Sequence, residues 1–327
     1  MRCLLTGGAG FLGRMLAAGL RESGAEVLVA DLSEPAGFAW QRVDITRPET
    51  LRWTGPEFDL LVHAAGLAHF RPRTPTEQQR LFEVNADGTR NLLASLGGPH
   101  RPARAVLVST VAVYGRQEGE GLDENTPLAA TDPYGESKRL AEGIFRAWSE
   151  ENGVGWTVLR LPLVYGLDPP GNLGAMAAAL RAGRYVGVGR GQARRSLVWG
   201  VDVGRALLAA AREGGVFHLT DGRHPTFREI EEAMAEALGR AAPPRLPAGA
   251  AWMLASAGSA LTRLGLRPPF DLDRYRKMTR SLTFNDARAR AAFGWNPSPV
   301  TERIRREGLF SVPSSPGPAK RCSGAEQ

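Results

Sequence analysis

The chain has 327 residues, of which 43% are hydrophobic and 23% are charged, and these proportions exclude a disordered or collagen-like chain. The net charge of +7 raises the question of an anionic partner, but the arginines are scattered and no nucleic-acid-binding module is recognisable, so we expect no nucleic-acid partner. Cys3 and Cys322 lie at opposite ends, which predicts no disulfide framework and is typical of a cytoplasmic protein.

Short apolar runs alternate with helical patterns through the first half of the chain. The predicted strands cover 3–6, 26–31, 59–63, 105–109 and 156–160, with another ending near Val43, and the predicted helices cover 11–23, 81–96 and 134–152. These strands are apolar throughout rather than alternating, as expected where helices cover both faces of a sheet. The order predicts an α/β fold with a Rossmann-type doubly wound parallel sheet.

The pattern loosens after about residue 166. We predict a Rossmann domain over 1–166 with 196–220 returning to it, a smaller and mostly helical C-terminal substrate-binding domain over 167–195 and 221–311, and a disordered tail over 312–327. The run from Ala248 to Thr262 carries no charge over fifteen residues. It is shorter than the ~20 residues that span a bilayer, so we expect no membrane span. The pattern favours a packed or capping helix over contact with a membrane surface.

Three glycines follow the first predicted strand at the spacing G-x-x-G-x-x-G. Gly7, Gly10 and Gly13 permit a tight turn and let a pyrophosphate approach the backbone at the positive end of a helix dipole. Asp31 ends the next strand, where a carboxylate accepts hydrogen bonds from the adenosine ribose and disfavours a 2′-phosphate. Together these features predict a cofactor site for NAD, and we expect no metal site.

The segment TGGAGFLG, which contains these glycines, resembles the opening of the extended short-chain dehydrogenase/reductases, in particular the NAD-dependent epimerase/dehydratase family. The resemblance continues through Asp44-Ile45, HAAG and VNADGT, and it extends over roughly residues 1–310. It implies that Asp44 contacts the adenine and that Asn85 steadies the strand carrying a catalytic hydroxyl. We interpret His63 as a satisfied strand-end histidine, whereas Asn85 on its own could also cap a helix.

Tyr134 and Lys138 lie in the segment DPYGESK, and their i, i+4 spacing puts both side chains on one helical face. A free tyrosine has a pKa near 10, and a nearby ammonium favours the phenolate that could take a proton from a substrate alcohol. The spacing alone also occurs by chance on exposed helices. However, only three of the 41 basic residues are lysines, and guanidinium would not replace a compact ammonium well, which favours a catalytic pair.

The third catalytic member comes from the resemblance. In the segment VSTVAVYG, the family's catalytic hydroxyl stands four residues before the tyrosine, which selects Thr110 over Ser109 and implies that Tyr114 lies near the substrate. The cofactor contacts that we expect in total are Gly7, Gly10, Phe11, Leu12, Gly13, Asp31, Asp44, Ile45, Ala64, Ala65, Gly66, Asn85, Ser109, Tyr134, Lys138, Leu161 and Pro162.

The resemblance also implies substrate contacts. GNL resembles the start of a helix that touches a nucleotide-sugar diphosphate, which implicates Asn172 and Leu173, and Arg195 matches an arginine that holds a substrate phosphate. Thr110 and Tyr114 complete the expected substrate contacts. Among so many arginines, Arg195 could equally be a surface residue.

Departures from the family pattern narrow the reaction. A sugar 4,6-dehydratase would carry an Asp-Glu pair where Val111-Ala112 stands, and Leu163 replaces the asparagine of galactose-type epimerases. The remaining combination resembles 4-epimerases and 4-ketoreductases that act on UDP-hexosamine derivatives for bacterial surface polysaccharides. The resemblance therefore implies an NAD-dependent oxidoreductase or epimerase acting at C4 of a nucleotide sugar, with UDP as the expected nucleotide.

Two other functions remain open. One is a 3β-hydroxysteroid-type dehydrogenase of a hydrophobic alcohol, in which the uncharged helix would line an apolar pocket or contact a membrane. The other is a non-enzymatic NAD-sensing regulator, although such proteins typically lose the Tyr/Lys pair. Many members of the family dimerise, and the helices predicted over 81–96 and 134–152 are the candidates for a homodimer interface.

Overall fold

The computed structural model describes residues 1–68, 70, 72–263, 265–266, 268 and 270–310, so the predicted tail over 312–327 lies outside the described residues. The strands are β1 (Arg2–Thr6), β2 (Glu26–Asp31), β3 (Ala39–Arg42), β4 (Leu60–His63), β5 (Arg104–Thr110), β6 (Gly119–Leu122), β7 (Gly155–Leu161), β8 (Leu163–Tyr165), β9 (Gly187–Val188), β10 (Leu197–Trp199), β11 (Gly215–His218), β12 (Arg245–Leu246) and β13 (Leu282–Phe284). The α-helices are α1 (Phe11–Glu22), α2 (Pro75–Phe82), α3 (Gly88–Ala94), α4 (Pro133–Glu151), α5 (Gly171–Arg181), α6 (Gly200–Glu213), α7 (Phe227–Ala237), α8 (Ala248–Arg263), α9 (Leu272–Thr279), α10 (Ala287–Phe293) and α11 (Val300–Glu307).

In the described part of the chain, seven parallel strands form the central sheet in the order β11-β7-β5-β4-β1-β2-β3. This confirms the predicted doubly wound parallel sheet. The strand order reverses at β1, which pairs with β2 on one side and β4 on the other. In such sheets a crevice opens at the carboxyl ends of the strands at this point, and ligands bind there.

Apolar side chains fill both faces of the sheet, because successive residues of a strand point to opposite sides. Leu5 belongs to the core beneath α1 and α6, whereas Leu4 belongs to the opposite core with Phe145 of α4. On the first face α1 and α6 are in close contact, since a Cβ on Gly19 would lie 2.4 Å from the carbonyl carbon of Gly204. Burial on both sides explains why the strands are continuously apolar.

The helix predicted over 81–96 begins earlier and is interrupted. A capping box at Thr74 and Glu77 starts α2 at Pro75, and this T-x-x-E signal was available in the sequence. A π-helical turn over Glu83–Asp87 then separates α2 from α3 and buries Asn85. Inserted π turns are frequent at functional sites.

Later segments divide between two cores. The return of the chain to the sheet after residue 196 is visible in α6 and in β11, which forms one edge. A separate core, away from the two faces of the sheet, joins α5, α7 and α11 around residues such as Ile230 and Val300. By contrast, Ala289 of α10 and Trp295 pack into the sheet's core, although they fall in the range predicted for the second domain.

The uncharged helix α8 departs from its predicted environment. Its buried stripe is Ala251, Ala255 and Gly258, whereas Trp252 and Met253 are exposed, so the helix predicted as packed or capping is packed along this stripe alone. No helix in the described chain is long and apolar enough to cross a membrane.

Candidate active site

A cavity of about 740 Å³ opens at the carboxyl ends of β1, β2, β4 and β5. Its size falls in the range of small-molecule and cofactor pockets. The predicted residues that line it are Gly7, Gly10, Phe11, Leu12, Gly13, Asp31, Asp44, Ile45, Ala64, Ala65, Gly66, Ser109, Thr110, Tyr134, Leu161, Pro162, Asn172 and Leu173. The structure therefore brings together most of the predicted cofactor contacts and part of the predicted substrate contacts.

The glycine turn between β1 and α1 tolerates no side chain at two of its positions. Gly7 has a φ of +75°, and a Cβ there would lie 2.5 Å from the nitrogen of Ala65. A Cβ on Gly13 would lie 1.9 Å from the carbonyl oxygen of Gly7. At Gly10 the nearest atom to a Cβ would be 3.3 Å away, so this position leaves space at the N-terminus of α1. The turn is thus a bare backbone cradle that suits a pyrophosphate.

Asp31 fixes the other side of this cradle. Its carboxylate accepts hydrogen bonds from the backbone N–H groups of Ala9 at 3.0 Å and Ser33 at 3.2 Å. It lines the cavity and is partly exposed, so oxygen lone pairs remain for ribose hydroxyls. The residues present therefore fit an adenine dinucleotide without a 2′-phosphate.

At the far end of the cavity, Asp44 accepts hydrogen bonds from the N–H and the hydroxyl of Thr46 at 2.9 and 2.7 Å. Burial opposes ionisation there, but these hydrogen bonds and the charges of Arg47 and Arg80 outweigh it and lower the pKa of Asp44. Sequence reasoning missed Arg80, because the helix that carries it was predicted to begin at 81. Other lining residues that were missed are Ala9, Ala30, Leu32, Ser33, Val43, Thr46, Leu67, Ala68, Val84, Leu163, Val164 and Pro170.

Tyr134 lies in the first turn of α4, which Asp132 caps by accepting the N–H of Gly135 at 3.0 Å. Burial raises the pKa of Tyr134 to about 12, while a hydrogen bond from Thr110 opposes the increase and Asp132 adds to it. Tyr134 and Thr110 both line the cavity, so the two hydroxyls converge on the same space.

Lys138 lies one turn later on the same face of α4 but is buried behind the cavity wall. Its ammonium donates a hydrogen bond to the carbonyl oxygen of Val108 at 2.9 Å. Burial lowers the pKa of Lys138 to about 8, and the charge of Glu142 opposes this decrease. The ammonium of Lys138 therefore lies against the strand that ends in Thr110, rather than in the open cavity.

A buried ion pair that the sequence reasoning missed holds α4 on the sheet. Glu142 pairs with Arg160 of β7 at 2.7 Å and accepts a hydrogen bond from Ser109 at 2.5 Å. Glu142 follows Lys138 by four residues, so Tyr134, Lys138 and Glu142 share one helical face. The sequence signal for this pair was Arg160 itself, a charged residue within the apolar strand β7.

Tyr114 lies outside the cavity. It is fully buried, and its hydroxyl is 2.6 Å from Nε2 of His218 and accepts a hydrogen bond from Arg160 at 2.8 Å. Its ring stacks on Phe284 of β13 with the centroids 5.8 Å apart. The structure therefore contradicts the expected position beside the substrate, because long-range packing takes the ring toward β11 and β13.

Arg195 is also absent from the cavity wall. It is buried, and its guanidinium donates hydrogen bonds to the carbonyl oxygens of Arg194, Arg280 and Lys277. The same group lies over the ring of Phe227, and burial lowers its pKa to about 10. Both terminal nitrogens are thus engaged by backbone, which contradicts the expected contact with a substrate phosphate.

Asn85 and His63 support the cavity from behind. Asn85 accepts the N–H of Leu67 at 2.7 Å and donates to the hydroxyl of Ser137 at 2.9 Å, so it links the loop after β4 to α4 rather than steadying β5. His63 lies between the hydroxyls of Thr6 and Thr89 at 2.7 and 2.9 Å. Burial lowers the pKa of His63 to about 3, consistent with its interpretation as a satisfied histidine.

Comparison with known proteins identifies similar chains. Residues 3–219 match the profile of the NAD-dependent epimerase/dehydratase family. A UDP-glucose 4-epimerase of Streptomyces lividans is 29% identical over 81% of this chain and 91% of its own. A 4-hydroxy-2-methyl-3-oxo-4-farnesyl-3,4-dihydroquinoline-1-oxide ketoreductase of Stigmatella aurantiaca is 31% identical over 90% of this chain and 92% of its own. The solved UDP-glucose 4-epimerase of Thermus thermophilus in complex with NAD is 28% identical, with a TM-score of 0.71 over 93% of this chain and 97% of its own.

Proposed function

Because the chain belongs to the NAD-dependent epimerase/dehydratase family, we propose that it is an enzyme that acts at C4 of a nucleotide sugar, with a UDP-sugar as its substrate. The observation that carries this proposal is that the hydroxyls of Tyr134 and Thr110 share one cavity with the glycine turn. Asn172 and Leu173, at the start of α5, line the same cavity and support a diphosphate contact. The UDP-glucose 4-epimerases among the relatives support the same substrate class.

Each residue at the cavity has a role in this reaction. NAD, when bound, supplies hydride acceptance and return at its nicotinamide. The glycine turn and Asp31 hold its pyrophosphate and its ribose. The oxygen of Tyr134 takes the proton from the C4 hydroxyl of the sugar and gives it back, and Thr110 positions that hydroxyl. Burial raises the pKa of Tyr134 to about 12, so the phenolate needs the hydrogen bond from Thr110, the buried ammonium of Lys138 and the positive charge that an oxidised nicotinamide would bring.

Epimerase and ketoreductase share this hydride exchange at C4, but a ketoreductase runs it in reverse, with hydride passing from NADH to the ketone and the proton passing from Tyr134 to its oxygen. They differ afterwards, because an epimerase returns the hydride to the other face of the same sugar, whereas a ketoreductase releases its oxidised cofactor. We propose chemistry at C4 in either case, and the experiment below distinguishes an epimerase from a ketoreductase. Relatives named as a UDP-glucose 4-epimerase and as a dTDP-6-deoxy-L-talose 4-dehydrogenase support the two alternatives.

A dehydrogenase or ketoreductase of a hydrophobic substrate is a second candidate. Two observations favour it: Arg195 does not line the cavity, which removes one of the expected phosphate contacts, and a relative's name describes a farnesylated quinoline oxide as its substrate.

Incubation of the purified protein with UDP-glucose, UDP-N-acetylglucosamine and NAD, followed by mass spectrometry and sugar analysis, tests the proposal. An isomer formed without net NADH indicates a 4-epimerase, and stoichiometric NADH indicates a dehydrogenase running against the ketoreductase direction. Thermal unfolding adds a binding readout, because UDP at 100 times its Kd would stabilise the fold by about 2.7 kcal/mol. If neither turnover nor stabilisation occurs with any UDP compound but a sterol or polyprenyl ketone is turned over, the second candidate replaces the first. NAD binding without turnover of either class would indicate the regulator.

A further inference from the structure

Helix α8 presents an apolar surface to solvent. The exposed fractions of Trp252, Met253 and Leu254 are 54%, 62% and 58%. Leu261, near the end of the same helix, and Leu266, just after it, are also exposed. Large exposed apolar patches mark sites where proteins or membranes bind.

The described chain covers only the opposite stripe of this helix. Gly258 lies so close to the segment before α9 that a Cβ there would be 2.0 Å from the carbonyl oxygen of Phe270. The hydroxyl of Ser259 accepts the N–H of Leu272, which fixes the start of α9 against α8. Since small residues serve this contact, the large apolar side chains of α8 remain outside it.

The length of α8 limits what its apolar side can enter. Its 16 residues span about 24 Å at 1.5 Å per residue, which is less than the ~30 Å hydrocarbon core of a bilayer. A helix of this length fits parallel to the membrane, with its apolar side chains among the upper acyl chains. Tryptophan is favoured at that depth because its ring is amphipathic.

Exposed cations lie at the end of α8 and on the neighbouring helix α9. Arg263 ends α8, and Arg274, Arg276 and Lys277 lie on α9, which packs against it. Lys277 pairs with Asp273, whereas no ion pair is recorded for the three arginines within the residues that the structure describes. Anionic lipid headgroups complement such a group of cations.

Two other occupants fit less well. A second copy packed symmetrically on α8 would bring the same cations of both chains together, which is unfavourable. The segment 311–327 has Val312 as its one large aliphatic side chain, and its Lys320 and Arg321 outnumber Glu326, so its sequence supplies neither apolar area nor a net opposite charge.

We propose that α8 binds the surface of an anionic bilayer, with Trp252, Met253 and Leu254 among the acyl chains and the cations of α9 at the headgroups. This binding needs no substrate and goes beyond the proposed function. The enzyme would thereby work beside a membrane without spanning it.

Cosedimentation of the full chain with lipid vesicles tests this proposal. We expect binding to phosphatidylcholine vesicles that contain phosphatidylglycerol, and weaker binding to phosphatidylcholine alone or at high salt. The triple variant Trp252→Ser, Met253→Ser, Leu254→Ser should lower the partition coefficient at least tenfold, on the order expected for three apolar side chains. Leu140→Ser is the matched control, because Leu140 is 40% exposed on α4, far along the chain from α8, and should bind as the wild type does.

A second variant tests the charges. Arg274→Gln with Arg276→Gln should weaken binding to the anionic vesicles by about fivefold for each charge removed and leave binding to neutral vesicles unchanged. Thermal unfolding and NAD titration of each variant check that the fold is retained. The proposal is overturned if the wild type sediments with neither vesicle, or if the triple variant binds as tightly as the wild type. It is also overturned if the wild type is a dimer that the triple variant disrupts, since α8 would then be an interface between copies.

Discussion

The two sides of the cavity are held by different means. On the cofactor side, the glycine turn and Asp31 sit on the ends of long, continuous strands, and backbone atoms approach closely enough to exclude a Cβ at Gly7 and Gly13. On the substrate side, the small sheets β8–β10, β9–β12 and β6–β13 contain few residues each. There Arg195 and Arg245 supply hydrogen bonds to carbonyl oxygens of neighbouring segments.

This difference indicates which side tolerates change. A sheet fixes the cofactor side through many backbone hydrogen bonds, so backbone atoms carry most of its geometry. The substrate side depends on a few buried guanidinium groups, and each is a point at which one substitution frees several carbonyl groups. We therefore expect substitutions on the two sides to differ in whether they change the kinetic constants or the free energy of unfolding.

The largest effect is expected where both sides meet, at Tyr134. Tyr134→Phe removes the proton-transferring oxygen and should lower kcat by about 10²–10⁴-fold, while the Kd for NAD changes by less than about twofold. Steady-state kinetics and NAD titration measure both. Tyr114→Phe is the matched control, because Tyr114 lies outside the cavity and its loss should leave kcat within about threefold of wild type. Equal loss of turnover in both variants would contradict the assignment.

A large effect on stability is expected at the buried pair behind the cofactor side. Arg160→Met leaves the Glu142 carboxylate in the core with the hydrogen bond from Ser109 but without its arginine partner, which should lower the free energy of unfolding in urea by about 3–5 kcal/mol. The double variant Arg160→Met, Glu142→Leu removes both charges and should recover most of that loss. A double variant no more stable than the single one would show that the pair does more than neutralise its own charges.

The sequence predicted the positions of residues better on the cofactor side than on the substrate side. The glycine turn, Asp31 and Tyr134 are fixed by local backbone, namely a strand end, a turn or the first turn of a helix, and local patterns predict these well. Tyr114 contacts His218, about 100 residues away in the sequence, and Arg195 contacts Lys277, more than 80 residues away. No local sequence pattern encodes such contacts. Neither the exposure of α8 nor the partner of Glu142 is visible in the sequence, because both depend on what the tertiary structure brings alongside.

A smaller effect on stability is expected from Arg195. Arg195→Gln removes hydrogen bonds to three backbone carbonyl groups and should lower the free energy of unfolding by about 2–3 kcal/mol, with KM for the UDP-sugar changed by less than about threefold. Arg194→Gln, at the exposed neighbouring position, should change stability by no more than about 0.5 kcal/mol. If KM instead rose more than about tenfold without loss of stability, Arg195 would contact the substrate phosphate as first predicted. The structural role that we assign to it on the substrate side would then be wrong.

A graded effect on stability is expected from acid. His63 has a folded pKa of about 3 against an ordinary value of 6.5, so between these pH values the unfolded chain binds a proton that the folded chain does not. Stability should therefore fall as the pH falls from 6.5 to 3, by at most about 1.4 kcal/mol per pH unit from this group. Urea unfolding across this window measures the slope, and His63→Gln should make it shallower. An unchanged slope in the variant would mean that other groups govern acid sensitivity.

Cofactor preference is tied to the integrity of the glycine turn through one carboxylate. Asp31 both faces the ribose position and accepts the N–H of Ala9 inside the turn. Replacing Asp31 with alanine would remove the negative charge that disfavours a 2′-phosphate. It would also leave the N–H of Ala9 without its acceptor. Asparagine keeps an acceptor oxygen for Ala9 while removing the negative charge. An engineer who wants this scaffold to use NADP should therefore begin at position 31 with asparagine, and add a cation nearby only afterwards.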